Sequence, residues 1–210
     1  MTNNPPTLKR ICVFCGSSPG ANSEYLEVAR QLGETLARRN LTLVYGGAKV
    51  GLMGQVARAA LAAGGQVIGV IPRSLLDMEV AYTDVGTLHV VGSMHERKSM
   101  MADLSDSFIA LPGGLGTIEE FFEVLTWAQL GFHQKPCGLL NIGGYYDHLL
   151  KFLDVAVREE FIDQAHREMV LVDTTAAGLL DQFARYAPPK SSKAAWVLEK
   201  TSHIQPTPTG

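Results

Sequence analysis

The chain has 210 residues, 46% of them hydrophobic, and carries a formal net charge of −3. This length and apolar content are typical of one domain with a sizeable core. The slight acidic excess argues against a general binder of nucleic acids or membrane surfaces, which usually carry a basic excess, and no segment approaches the roughly 18 consecutive apolar residues of a membrane span.

The two ends of the chain differ in composition from the part between them. Residues 1–8 predict a flexible tail and contain no apolar stretch of the kind that forms a signal peptide, so we expect a cytoplasmic protein. Residues 187–210 are rich in Pro, Ser, Lys and Thr and predict a second, largely flexible tail, with a weak helix at about 194–200 as the alternative. Residues 9–186 predict a single nucleotide-binding α/β domain.

Short apolar runs alternate with segments of helical periodicity along this domain. Asn22 or Ser23 is expected to cap the first helix and Ser93 a later one, whereas residues 73–86 predict irregular structure. The predicted strands cover 9–15, 41–45, 66–71, 87–91, 108–111, 137–141 and 170–172. The first predicted helix runs from the cap at Asn22 or Ser23 to about residue 39, and the next two cover 52–63 and 93–106. A further helix follows the glycine turn after 108–111 and ends at about 130, and the last two cover 145–159 and 176–186.

The predicted strands are nearly continuous apolar runs, which is typical of strands buried on both faces. Alternation with helices then predicts an α/β fold with a doubly wound parallel sheet and helices on both faces. Ligands bind such sheets outside the carboxyl ends of the strands. Glycine-bearing turns follow three strands, at Gly16, at Gly46-Gly47 and at Gly113-Gly114, so we expect all three to line one edge.

Cys12 and Cys15 form a C-x-x-C pair, which is a pattern of redox and metal sites. Both residues lie in or at the end of an apolar strand, however, and neither a second C-x-x-C nor a His cluster follows. Buried structural thiols are therefore the favoured interpretation, since free Cys often packs as a small apolar residue.

The stretch SFIALPGGLGTIEEFFEVLTW, from Ser107 to Trp127, is the most informative in the chain. A strand, a glycine turn and a helix start follow one another, which leaves backbone N–H groups unpaired where the helix dipole adds positive charge. This arrangement predicts a site for a phosphate or another anion. Glu119 and Glu120 are expected in the first helical turn, where the dipole also favours carboxylates; a simple cap by Thr117 with first-turn acids is the alternative.

A second cluster is Met94-His95-Glu96-Arg97-Lys98. Only the helical residues 99–106 separate this cluster from the strand that leads into the glycine turn. Arg offers a planar fork and Lys a point charge for phosphate or carboxylate, and the short connection lets the cluster reach the same edge. A solvated helix face is the alternative. Neither the G-x-G-x-x-G fingerprint nor a G-x-x-x-x-G-K-[ST] loop is present, so a mononucleotide or sugar phosphate is favoured over NAD or ATP.

A carboxylate beside a phosphate site and an arginine suits cleavage at a glycosidic carbon. Such reactions pass through an oxocarbenium-like state, which a carboxylate stabilises while it activates water. Phosphate-ester chemistry stays open on this reasoning alone.

The motifs GSMHERK and PGGLGTIEE together resemble the signature M-H-x-R-K … P-G-G-x-G-T-x-x-E of the Lonely Guy family of cytokinin riboside 5′-monophosphate phosphoribohydrolases. The resemblance extends to about Tyr186 and includes CGSSPG, YGGAKVGLMG and IPRSL. It implies a Rossmann-like fold and hydrolysis of the N-glycosidic bond of N6-substituted adenosine 5′-monophosphates, with AMP as an additional substrate.

Carried over by position, the resemblance implies that Arg97 and Glu120 are the catalytic pair. It places Lys98, Thr126 and Glu79 in the nucleotide site together with Arg97. No metal or organic cofactor is implied, and members form homodimers whose subunits share each site. The segment expected to hold the phosphate and ribose comprises Gly113, Gly114, Leu115, Gly116, Thr117, Ile118 and Glu119.

Two other functions compete with this interpretation. A pyridoxal-phosphate lysine decarboxylase needs a Schiff-base lysine, and the lysines near the proposed edge are Lys49 and Lys98. A non-catalytic carrier or sensor of a nucleotide-like cofactor is the second rival, because related proteins share the P-G-G-x-G-T turn. The presence of both the M-H-x-R-K cluster and Glu120 argues against the carrier.

Overall fold

A computed structural model describes residues 8–78, 81–189 and 196–197. Both predicted tails lie largely outside these residues, as does Glu79. None of the helices in the described ranges combines the length and apolar character needed to span a membrane.

The fold is one parallel sheet of seven strands in the order β4-β3-β2-β1-β5-β6-β7, which confirms the predicted α/β class. Every neighbouring pair runs parallel because each connection crosses over through a helical segment. The strands are β1 Arg10–Phe14, β2 Thr42–Tyr45, β3 Val67–Pro72, β4 Thr87–Val91, β5 Ser107–Ala110, β6 Cys137–Leu140 and β7 Val170–Asp173.

Helices cover both faces of the sheet, and their apolar sides build two separate core clusters. One cluster includes Leu32, Val56 and Leu179, and the other includes Phe121, Val124 and Leu153. The helices are α1 Glu24–Arg38, α2 Gly51–Ala62, α3 Arg73–Leu76, α4 Met94–Asp103, α5 Leu115–Gln129, α6 Asp147–Arg158, α7 Gln164–Arg167 and α8 Ala176–Phe183, with a 3-10 turn at Ile142–Gly144.

The structure shows which side chains form hydrogen bonds at the starts of α1 and α4. Asn22 Oδ1 accepts a hydrogen bond from the Glu24 N–H at 2.9 Å, whereas the Ser23 side chain makes no capping bond. Ser93 Oγ accepts from the Glu96 N–H at 3.1 Å, and the Glu96 carboxylate accepts from the Gly92 N–H at 2.7 Å. These two bonds resemble a capping box, except that Glu96 accepts from the residue before the N-cap, and together they fix the start of α4.

The prediction of irregular structure over residues 73–86 was wrong at its start, where the short helix α3 lies. Pro72 takes an extended conformation immediately before it, and proline is well suited to that position because it needs no N–H partner. The cysteine interpretation is confirmed, since Cys12, Cys15 and Cys137 are free and buried.

Candidate functional site

Strands β1 and β5 are neighbours in the sheet, but the chain leaves them in opposite directions across it. A crevice of about 290 Å³ opens at their carboxyl ends, the position where such sheets bind ligands. The Gly16 N–H donates to the Pro112 carbonyl at 3.1 Å, so the turns after the two strands are joined. The crevice is lined mainly by Gly16–Gly20, Pro112–Gly114, Tyr25, Leu52 and Tyr145.

The glycine turn passes into α5 earlier than the sequence predicted. Gly114 is the N-cap, in extended conformation, and its carbonyl accepts from the Ile118 N–H at 3.2 Å. The helix therefore begins at Leu115, and the expectation of Glu119 and Glu120 in its first turn was wrong. Gly116 can enter the helix because no tertiary contact stops it: a Cβ added there would meet nothing within 4 Å.

Thr117 does not cap the helix. Its side chain packs on Gly113, where an added Cβ would lie 2.1 Å from the Thr117 hydroxyl oxygen. This contact requires glycine at position 113 and fixes the turn against the helix. Thr117 itself is buried.

Arg97 is buried in α4, so the solvated-face alternative does not hold for it. Its Nη1 donates to Glu120 Oε1 at 2.8 Å, and its Nε donates to the Val70 carbonyl at 3.1 Å. The two side chains of the ion pair are only 8% and 11% exposed. The structure thus brings together the two predicted catalytic residues, from helices that are separate in sequence.

Gly46, at the end of β2, makes room for the guanidinium of Arg97. A Cβ at this position would lie 1.8 Å from Arg97 Nη2 and 3.2 Å from the Met53 sulfur. The second glycine turn therefore supports the arginine, a role that the sequence did not reveal. The doubled glycine was the available signal, since glycine after a strand often marks a close approach.

The electrostatics of Glu120 are set by two opposing effects. Burial raises the pKa of its carboxyl, and the charge of Arg97 lowers it. Burial is the larger effect, and the nearby Glu119 adds to it, so the pKa lies above its ordinary value. An acid in this setting exchanges protons more readily near neutral pH than a solvated glutamate does.

Lys98 contacts the outer side of α5. Its ammonium donates to the Glu123 carboxylate at 3.1 Å and to the Glu119 carboxylate. The hydrogen bond that Lys98 donates to Glu119 is the largest of the effects that raise the pKa of Lys98. The structure therefore brings Lys98 and Glu119 together. This pair is adjacent in sequence to the Arg97–Glu120 pair on both α4 and α5.

Thr126 is not brought to the glycine turn of its own chain. It is nine residues beyond Thr117 in α5, a rise of about 14 Å, and its exposed side chain lines a separate pocket of about 140 Å³ with Phe122, Phe161 and Ile162. Leu115 is 90% exposed at the start of the helix, and Ile118 packs at the edge of the core.

Sequence reasoning also missed Tyr145, whose hydroxyl donates to the Gly113 carbonyl at 2.6 Å. Its ring meets the Tyr25 ring edge to face, with the ring centroids 5.8 Å apart. The adjacent Tyr146 is buried and donates to the Leu111 carbonyl at 2.6 Å. No short motif signals these bonds, because they link the turn to the segment after β6.

The doubly wound sheet and its crevice place the molecule among the Rossmann-like α/β proteins. Solved structures support this fold: a molybdenum cofactor binding protein of Rippkaea orientalis matches with TM-score 0.65 and 24% identity, over 85% of this chain and 97% of its own. A molybdenum cofactor carrier protein of Chlamydomonas reinhardtii matches with TM-score 0.64 and 23% identity, over 86% and 100%. At these identities the likeness concerns the fold alone.

Sequence comparison is more specific. A cytokinin riboside 5′-monophosphate phosphoribohydrolase of Arabidopsis thaliana is 49% identical over 198 residues, which are 93% of this chain and 92% of that protein. A protein of Oryza sativa subsp. japonica named as a probable enzyme of the same kind is 51% identical over 190 residues, or 90% and 77%. A family model described as "Possible lysine decarboxylase" matches residues 53–183. The chain belongs to this family of cytokinin riboside 5′-monophosphate phosphoribohydrolases.

Proposed function

We propose that this chain is a hydrolase that cleaves the N-glycosidic bond of N6-substituted adenosine 5′-monophosphates, and of AMP. The products are the free base and ribose 5-phosphate. The observation that carries the proposal is the buried ion pair of Arg97 and Glu120. Glu120 lies one helical turn after Thr117, the residue that packs on the glycine turn. The names of relatives about 50% identical point to the same reaction.

In this proposal the residues from Gly113 to Glu119 hold the 5′-phosphate and ribose. The amides at the start of α5 and the helix dipole favour an anion there. Binding energy from the phosphate, which does not react, then positions the anomeric carbon C1′. Arg97 and Lys98 add positive charge beside the nucleotide.

The proposed chemistry takes place at C1′. The bond between C1′ and the base nitrogen breaks, its electron pair leaves with the base, and positive charge develops on the ribose ring. The Glu120 carboxylate stabilises that charge and accepts a proton from the attacking water. Arg97 holds Glu120 in place and contacts the substrate. The departing base takes up one proton, so that one water molecule is consumed for each bond cleaved.

We infer that the protein works as a homodimer whose subunits share each site. Thr126 supports this inference, because it lies far along α5 from the glycine turn of its own chain and is exposed. Exposed apolar side chains near both ends of the helix, at Leu115 and Phe132, leave a surface for a second copy. Glu79, outside the described residues, stays a proposed nucleotide contact on the strength of the resemblance.

Lysine decarboxylation, the activity in the description of the family model, is disfavoured by the state of Lys98. A Schiff base forms from a neutral amine, whereas Glu119 and Glu123 hold Lys98 as an ammonium and raise its pKa. An absorbance scan for a bound aldehyde cofactor tests this directly.

The product assay is the decisive experiment for the proposal. The protein is incubated with isopentenyladenosine 5′-monophosphate and, separately, with AMP, and the products are separated. Release of base together with ribose 5-phosphate supports the hydrolase. Tight nucleotide binding without base release overturns it and favours the cofactor carrier.

A further inference from the structure

The peptide unit between Gly113 and Gly114 lies in the wall of the crevice. Two adjacent glycines lack the Cβ atoms that normally restrict backbone rotation, so this unit can turn over at little steric cost. One orientation presents the Gly114 N–H to an anion, and the opposite orientation presents the Gly113 carbonyl oxygen. The second orientation repels a phosphate.

Tyr145 holds this peptide in one orientation. Its hydroxyl donates to the Gly113 carbonyl at 2.6 Å, a distance within the normal range for an O–H donor. Because a trans peptide is planar, its C=O and N–H point in opposite directions. Fixing the carbonyl toward Tyr145 therefore fixes the Gly114 N–H on the side away from it.

The Gly114 N–H has no hydrogen-bond partner among the residues that the structure describes. It immediately precedes the first turn of α5 and adds one donor to the helix start. The Gly113 carbonyl is meanwhile covered by a hydroxyl, so its negative end is not presented to a ligand.

The Tyr145 ring is itself held in place from two sides. It meets Tyr25 edge to face at 5.8 Å and Tyr146 edge to face at 5.0 Å. Edge-to-face pairs are favourable and set the ring orientation. The side chain is 43% exposed, so it lines the crevice instead of filling the core.

We propose that Tyr145 is a positioning residue for the 5′-phosphate: it locks the Gly113–Gly114 peptide so that the Gly114 N–H is available to the anion. This inference rests on the proposed function and deepens it. Its effect belongs to the phosphate part of the substrate and not to bond cleavage at C1′.

The test is Tyr145→Phe, which keeps the ring and removes the hydroxyl. One lost hydrogen bond of ordinary strength predicts an about three- to tenfold weaker affinity for ribose 5-phosphate, measured by calorimetry. The KM for AMP rises by a similar factor, with kcat nearly unchanged. Affinity for adenosine, which lacks the phosphate, stays the same.

Tyr146→Phe is the matched comparison. Its hydroxyl makes a bond of equal length to the Leu111 carbonyl, two residues before the turn and inside the core. We expect this variant to lower the melting temperature while ribose 5-phosphate affinity is retained.

The outcomes separate the two proposals. Unchanged ribose 5-phosphate affinity in Tyr145→Phe, or an equal loss of affinity for adenosine, overturns the role of Tyr145. Absence of turnover in the wild-type protein overturns the proposed function alone, because the binding measurement does not depend on catalysis.

Discussion

The chemistry that we propose for the site depends on two side chains, the buried pair of Arg97 and Glu120. Each charge has left water and is compensated mainly by the other, so removal of either leaves a buried charge unpaired. The carboxylate is held by one oxygen at 2.8 Å from Arg97. The same acid is the group that we propose to act on water and the ribose.

Glu120→Gln separates the charge of this side chain from its shape. The amide oxygen still accepts from Arg97, so nucleotide binding should persist, whereas turnover should fall on the order of 10²–10⁴-fold. Calorimetry with AMP and the product assay measure the two effects. Glu34→Gln, which removes a partly exposed carboxylate paired with Arg30 on α1, is the control and should keep wild-type turnover. Undiminished base release from Glu120→Gln would remove this acid from the mechanism.

The acid limb of the pH–rate profile reports the ionisation of Glu120. Burial raises the pKa of this carboxyl, so the carboxylate is lost as the pH falls through a value above the ordinary glutamate pKa of about 4.3. The limb of kcat/KM should therefore lie above that ordinary value, when measured at constant ionic strength. A limb at or below it contradicts the assignment of Glu120 as the ionised group.

Gly46→Ala tests whether the position of Arg97 matters. The added Cβ would lie 1.8 Å from Arg97 Nη2, so the guanidinium must leave the position in which it pairs with Glu120. Misplacement of this kind predicts a loss of kcat/KM on the order of 10²-fold. Gly86→Ala is the control, because its Cβ meets only the Val67 carbonyl at 3.7 Å. Equal activity of the two variants would show that Gly46 does not support the arginine.

At the scale of elements, the start of α5 serves two purposes. Its N-cap, Gly114, lines the crevice, and its second turn carries Glu120 to Arg97. The helix is fixed by Thr117 on Gly113 at one end and by Phe121, Val124 and Leu125 in the core. The proposed anion site and the proposed catalytic acid are therefore carried by a single helix.

Gly116→Ala should stabilise the protein and at the same time obstruct the proposed phosphate site. Replacement of a helical glycine by alanine stabilises by about 0.4–1 kcal/mol where space allows, and nothing lies within 4 Å of the added Cβ. The melting temperature should rise by roughly 1–4 °C. The KM for AMP should rise as well, since the methyl group enters the space proposed for phosphate. A higher melting temperature with unchanged KM would place the anion elsewhere.

At the scale of the whole molecule, Thr126 lies far from the glycine turn of its own chain, although we propose that it contacts the nucleotide. The opposite end of α5 from the glycine turn presents this residue beside a pocket that is lined by apolar side chains. In the proposed dimer, a second copy of the chain brings its own Thr126 to the first copy's crevice.

Subunit complementation tests this arrangement. Glu120→Gln and a Thr126→Trp variant are each expected to be inactive, but a mixed dimer contains one site with both residues intact. Random assortment then restores about a quarter of wild-type activity. Sedimentation must show dimers at micromolar concentration. Mixed dimers without recovered activity, or a monomer, would contradict the shared site.

The sequence by itself determined the α/β class, the parallel sheet, the glycine turn after β5 and the identity of the two motif clusters. These depend on local properties, namely strand and helix periodicity, glycine in turns and the order of elements along the chain. The start of α5 was misplaced by about a turn, because glycine and threonine are weak local signals of helix.

Only the tertiary structure decided which residues meet. The pairing of Arg97 with Glu120, the space left by Gly46 and the bond from Tyr145 to Gly113 all join segments that are distant in the chain. Such contacts depend on how the crossovers place neighbouring strand ends, and residue spacing indicated at most a shared edge of the sheet and not the contacts themselves. The crevice and the ion pair exist because the order of strands brings these segments to one edge of the sheet.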